Sequence, residues 1–239
     1  MFCISLFYKF VQIDNVDKLC NILRTLCVNL ELKGRVLVAY EGLNGTLAGS
    51  GENVIRFQKE LALISANFDN IDWKFSYDDS INNPFQDLFI RKAKELIGTG
   101  PVGQELCHHI KYNPLSFGGL DDSCTGIHLS AKCFHEEIIK GSARNNLILD
   151  IRNQIEYDIG HFKDSISIGT AYYSETWKLL DKIISDYDLN SGCGEANTKN
   201  VLMYCTGGIR CEKASAYLLS KGVPRNKVFQ VIEIERLRF

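Results

Sequence analysis

The chain has 239 residues, 45% hydrophobic and 23% charged, which suits two modest globular domains and excludes disorder, collagen and coiled coil. Its 27 Lys and Arg against 29 Asp and Glu leave a formal charge of −2, so no global field advertises a polyanionic partner. No apolar run approaches the roughly 20 residues of a membrane span, so no membrane role is expected.

Met1–Lys9 lacks a basic segment and a small-residue cleavage site, so a strand over Phe2–Phe10 is expected rather than a signal peptide. Asp14 is the expected cap of a helix whose stripe is Val16, Leu19, Cys20, Leu23, Cys27 and Leu30, with Gly34 ending it. Val36–Ala39 reads as a buried strand. Asn44-Gly45 reads as a type I′ hairpin turn, with Thr46 opening the return strand. A helix follows over Glu52–Ser65, carrying Val54, Phe57, Leu61 and Ile64 on one side. Strands are expected over Ile71–Tyr77 and Leu88–Ile97. This β-α-β-β-α-β order is the split βαβ of a ferredoxin-like sandwich.

From Gly98 to about Thr125, turn formers such as Gly100-Pro101, Asn113-Pro114 and Gly118-Gly119 replace any periodicity, so a linker is expected. Ser130 then caps a helix with Phe134, Ile138 and Ile139 on its apolar face. Asn146–Ile151 is a buried strand and Thr176–Ile184 a helix, followed by a polar insert over Asn190–Asn200. Val201–Tyr204 is a further strand, leading through a tight loop into a helix ending near Leu219. Val228–Val231 is the last strand. Strands alternating with helices predict a parallel-sheet α/β domain.

The stretch Tyr204-Cys205-Thr206-Gly207-Gly208-Ile209-Arg210-Cys211 carries the chemistry. An apolar strand delivers Cys205 to its carboxyl end, where open α/β sheets place their sites. Gly207 and Gly208 let successive amides point at the sulfur as an anion nest. The helix opening at Ile209 adds its positive end and Arg210 a full charge. Together they favour a thiolate. Nine cysteines without framework spacing point to reduced thiols and a cytoplasmic setting. Cys124, His128, Cys133 and His135, and likewise Cys107-His108-His109, match no common zinc spacing, so no metal is expected.

The Cys205 loop resembles that of the rhodanese family, and Asp150-Ile151-Arg152 with Glu156-Tyr157 and Gly160-His161-Phe162 resembles its upstream signature. Arg210 stands five residues after Cys205; related phosphatases would place it at 211, which here is a cysteine. Tyr204–Tyr217, with Glu41-Gly42-Leu43-Asn44-Gly45-Thr46, is similar more narrowly to the rhodanese-containing tRNA uridine hydroxylases. That resemblance implies an acylphosphatase-like ferredoxin domain over 1–97, a linker over 98–127 and a rhodanese domain over 128–239. It also implies oxygen-dependent conversion of the wobble uridine to 5-hydroxyuridine, with Cys205 essential. Molecular oxygen is then a co-substrate and no cofactor is evident. The implied partner is the tRNA anticodon loop, and no stable protein partner is implied.

The alternative activity is a sulfurtransferase carrying a persulfide on Cys205; a catalytically silent binding module conflicts with the intact loop. Asp150 and Arg152 are expected to serve different ends, Arg152 pairing with a carboxylate such as Glu156 and tying the strand-end loop together. Asn153 and Tyr157 are candidates to face the pocket, as Thr206 and Ile209 are within the loop. His161 is expected to cap or pack, and so is Cys211, with a resolving thiol as its other use. Glu41 exceeds what a hairpin needs and, with Asn44, is a substrate-binding candidate. Arg35, Arg91, Lys92, Lys94 and Lys213 are the expected basic face for RNA. After Val231 the sequence reads Ile232–Phe239, where the resemblance leads one to expect a Gly-Gly turn and a closing helix.

Overall fold

The fold is described from a computed structural model, covering residues 1–80, 82–107, 110–144, 146–190 and 199–232. Most of the 190–200 insert, His108-His109 and the chain end from 233 therefore lie outside the described residues. The chain divides into two compact units, one of Met1–Leu96 with Tyr112–Leu120, the other of Ile97–Lys111 with Asp121–Phe239.

The first unit contains β1 (Phe2–Phe10), α1 (Val16–Asn29), β2 (Lys33–Ala39), β3 (Gly42–Gly49), α2 (Gly51–Ile64), β4 (Asp72–Asp78) and β5 (Leu88–Lys92). Its sheet runs β4-β1-β3-β2-β5, with β5 parallel to β2 and every other pair antiparallel. The first four strands and both helices are the expected ferredoxin-like arrangement, and β5 extends its edge. Alternation puts Phe7, Val36, Val38, Leu43 and Leu47 on the face that α1 and α2 cover with Leu19, Leu23, Phe57 and Leu61. Phe7 packs on Trp73 at 4.7 Å and on Phe57 at 5.8 Å between ring centroids.

Two local expectations are corrected. Asn15, not Asp14, caps α1, its side chain accepting from the Lys18 amide. The hairpin turn is Tyr40-Glu41, because Ala39 pairs with Gly42, and Asn44 and Gly45 lie inside β3. Gly45 sits opposite Phe7, and a Cβ there would come within 2.9 Å of the ring. Its missing side chain serves packing rather than a turn.

The second unit contains α3 (Gly100–Cys107), β6 (Ile127–Leu129), α4 (Ala131–Arg144), β7 (Leu147–Asp150), α5 (Gln154–Ile159), β8 (Ile166–Ser167), α6 (Thr176–Asp186), β9 (Val201–Tyr204), α7 (Ile209–Ser220) and β10 (Val228–Val231). All strands are parallel in the order β6-β10-β9-β7-β8. β9 is central and entirely buried, so its carboxyl end opens onto the loop before α7. The 98–127 segment has order of its own. Trp177 Nε1 donates to the Thr99 carbonyl at 2.6 Å, and α3 follows.

Residues 112–120 are fastened to the first unit by a buried ammonium. Lys9, fully shielded from solvent, donates to the carbonyls of Pro114 at 2.8 Å, Ser116 at 3.2 Å and Asn70 at 3.2 Å. A buried charge is tolerated only when hydrogen bonds of this kind replace its hydration. Lys9→Met keeps the stem but leaves those carbonyls unsatisfied, so a loss of about 2–4 kcal/mol is expected. Chemical denaturation checks the magnitude, and hydrogen exchange should rise first across 112–120.

Candidate active site

β9 buries Val201, Leu202, Met203 and Tyr204 and hands the chain to Cys205, itself only 1% exposed. Gly208 then takes φ +91°, which a side chain would disfavour, and caps α7. Its amide donates to Cys205 Sγ at 3.1 Å. Burial is the largest influence on this thiol and opposes ionisation. It is outweighed by the Cys211 thiol, the Arg210 charge and the backbone amides of Cys211 and Gly207, which bring the pKa down to about 5. Cys211, equally buried, moves the other way: burial and the adjoining Cys205 sulfur hold its thiol well above the ordinary range. At neutral pH the pair is one thiolate and one thiol.

Arg210 grips Glu156 with both ends of its guanidinium, Nη1 to Oε2 at 2.6 Å and Nη2 to Oε1 at 2.8 Å. Thr206 Oγ1 donates to Glu156 Oε1 at 2.6 Å and accepts from Arg210 Nη2 at 3.0 Å. Burial would raise the Glu156 carboxyl, but the bonds from Arg210 and Thr206 prevail and lower it to about 2. Glu156 is also the third residue of a capping box, its carboxylate meeting the Asn153 amide at 3.3 Å while the Asn153 side chain accepts from the Glu156 amide at 2.8 Å. Tyr173 hydroxyl donates to the Arg210 carbonyl at 2.6 Å, pinning the first turn of α7.

Cys205, Thr206, Gly207, Gly208, Ile209 and Arg210 therefore form one loop, closed by Glu156. The expected Arg152–Glu156 pair is absent. Arg152 instead clasps Asp150, Nη2 to Oδ2 at 2.6 Å, and donates to the Gly160 carbonyl at 2.6 Å. The reason is burial: Asp150 is fully enclosed at the end of β7 and needs a counter-charge. Asn153 is spent as a helix cap, and Tyr157 donates to the Ser165 carbonyl at 2.9 Å while stacking on His161 at 3.7 Å. These contacts order the loop around α5. Glu156, expected to pair with Arg152, serves Arg210 instead. Tyr173 is the site residue that sequence reasoning missed, and nothing local marks it.

Glu41 and Asn44 lie in the first unit and both bind one residue, Leu96. Its amide donates to Glu41 Oε1 at 2.8 Å, and its carbonyl accepts from Asn44 Nδ2 at 3.3 Å. Their placement explains them as a clamp on the chain after β5. Lys213, expected on a basic face, is fully buried, because α7 is covered on nearly all sides. Arg35 is paired with Asp87 at 2.5 Å and Lys92 with Asp17 at 2.8 Å. Among the described residues no group of His, Cys, Asp and Glu is arranged to hold a metal, and no helix could cross a membrane. His128 bonds to Glu212 at 2.8 Å instead.

Residues 2–96 match the family model described as a UPF0176 acylphosphatase-like domain, and residues 130–232 match that of a rhodanese-like domain. Proteins named tRNA uridine(34) hydroxylase from Streptococcus sanguinis and Wigglesworthia glossinidia brevipalpis are each 32% identical over 219 residues, covering 92% and 90% of this chain respectively. The chain spans about 60% of the length of these curated relatives. Among solved structures, an acylphosphatase from Coxiella burnetii aligns over 37% of this chain and 90% of its own, at 17% identity and a TM-score of 0.29.

The Glu156 pairing has a pH signature. Its carboxyl falls from 4.5 to about 2 on folding, so the stabilisation is complete above pH 4.5 and is lost as pH falls toward 2. Glu156→Gln should lower the melting temperature by a few degrees near neutral pH. The gap to wild type should narrow at about pH 3. Thermal melts across that range check it, and a pH-independent gap contradicts the assignment.

Proposed function

We propose that this chain, which joins a UPF0176 acylphosphatase-like domain to a rhodanese-like domain, hydroxylates the wobble uridine of tRNA to 5-hydroxyuridine. The observation that carries the reading is a single cysteine held as a thiolate, in a chain 32% identical over 219 residues to relatives named tRNA uridine(34) hydroxylase. The anticodon base is unpaired and can be splayed against protein without melting a duplex. The substrate would then be tRNA, the setting the cytoplasm, and molecular oxygen the co-substrate.

Cys205 and Arg210 are the proposed catalytic pair. Uracil C5 is a poor nucleophile until a thiolate adds to C6. That step forms a C6–S bond and moves the C5–C6 π pair toward C5 and O4 as an enolate, which makes C5 nucleophilic; at the end of the cycle loss of the C5 proton restores the C5–C6 double bond as the C6–S bond breaks and the thiolate leaves. Loop amides or the Arg210 guanidinium would stabilise the enolate oxygen. Thr206, Gly207, Gly208 and Ile209 shape the nest, while Asp150, Arg152, Asn153 and Tyr157 support it from behind. Glu41 and Asn44 serve the first unit's own architecture.

One observation favours a second reading, a sulfurtransferase carrying a persulfide. Cys205 is 1% exposed, and a persulfide would place its outer sulfur further from this floor. The two uses are separable. If the chain hydroxylates tRNA, a deletion strain loses 5-hydroxyuridine, the wild-type gene restores it, and Cys205→Ser does not, with the fold intact by circular dichroism. Nucleoside mass analysis reads this directly. Activity retained in Cys205→Ser removes both readings, whereas thiosulfate-dependent cyanolysis with unchanged tRNA leaves only the second.

A further inference from the structure

The helix-free face of the first unit's sheet carries an exposed aromatic side chain that its core does not use. On β5, Leu88 and Ile90 point into the core, so Phe89 and Arg91 point to the opposite face. On β2, Val36 and Val38 are core, and Lys33, Arg35 and Leu37 share that opposite face. The parallel register sets Arg35 beside Phe89 and Leu37 beside Arg91. Phe89 is 47% exposed, and two guanidinium groups lie near its ring, Arg35 Cζ at 5.7 Å and Arg91 Cζ at 5.9 Å from its centroid.

The ring is braced as well as flanked. Arg35 donates to the carbonyls of Gly34 and Asp87, each at 3.1 Å, and pairs with the Asp87 carboxylate. Its guanidinium is fixed in place, and the Phe89 ring rests against it. Asp87 offsets one charge of the patch; Lys33 and Arg91 supply two more, and both are exposed. A rigid half-exposed ring with surplus positive charge matches an unpaired nucleotide, whose base stacks while its phosphates meet the cations. An apolar protein partner would have no use for the flanking cations.

We propose that Phe89, with Arg35 and Arg91 beside it on this sheet face, is a stacking shelf for an unpaired base of RNA. Arg91 and Lys33 meet the flanking phosphates. The choice of RNA rests on the tRNA-modifying function proposed above. The shelf is a binding site distinct in residues from the Cys205 loop, and it governs affinity rather than the chemical step.

The test titrates the whole chain with a labelled anticodon stem–loop RNA and, as a control, a blunt RNA duplex without unpaired bases. Phe89→Ala is expected to weaken stem–loop binding about fivefold or more, and Phe89→Trp to restore it. The duplex should bind weakly and be indifferent to either change. Arg91→Gln should weaken binding and flatten its salt dependence by about one phosphate contact. Because Phe89 is an exposed edge-strand residue, melting temperature should stay near wild type and exclude misfolding as the cause. Wild-type affinity in Phe89→Ala, equal loss in Phe89→Trp, or no RNA binding by wild type each overturns the shelf. A chain that binds through Phe89 yet forms no 5-hydroxyuridine retains the shelf and loses the proposed activity. A chain that forms it with Phe89→Ala affinity unchanged does the reverse.

Discussion

Glu156 joins two pieces of chain that are 54 residues apart, and the geometry around Cys205 depends on that junction. Its carboxylate accepts both ends of the Arg210 guanidinium and the Thr206 hydroxyl, while meeting the Asn153 amide that starts α5. An arginine free to swing would bring its charge to the sulfur only part of the time. Held bidentately, it stays beside the loop, and the hydrogen bond from Tyr173 holds its backbone as well. The ion pair is only partly exposed, so solvent screens it less than a surface pair.

The sulfur itself reflects a contest between desolvation and ordered dipoles. A buried thiol ordinarily resists ionisation, as Cys27 does, where burial alone pushes the pKa up to about 12. Cys205 is buried to the same degree and goes the opposite way, because amides, a neighbouring thiol and a guanidinium converge on it. Burial then strengthens the effect, since the same donors act in a low-dielectric setting. Preorganisation of this kind suits either addition to an electrophilic ring carbon or retention of a persulfide.

Much of this was legible in the sequence, and the failures have physical causes. The β9 strand, the Gly-Gly loop and the helix after it announce themselves locally, so the Cys205 loop is found as expected. Asn44-Gly45 was misleading because turn propensity is local, whereas the demand for space beneath Phe7 is tertiary. β6 and β8, three and two residues long, are too short for any periodicity to register. Arg152 is expected beside Glu156 and pairs with Asp150 instead, because Asp150 is fully enclosed, which no local spacing announces. Glu41 and Asn44 read as surplus to a hairpin because Leu96, the residue they clamp, is more than 50 positions away. Lys213 follows a loop of basic character, yet the helix bearing it is buried nearly all round.

The central claim is that the folded chain keeps Cys205 as a thiolate at neutral pH. Thiolate absorbance near 240 nm, taken as the difference between wild type and Cys205→Ser across a pH titration, reads that state directly. A single transition with its midpoint near pH 5 is predicted. A midpoint at or above pH 8.5, the range of an unperturbed thiol, would contradict the account.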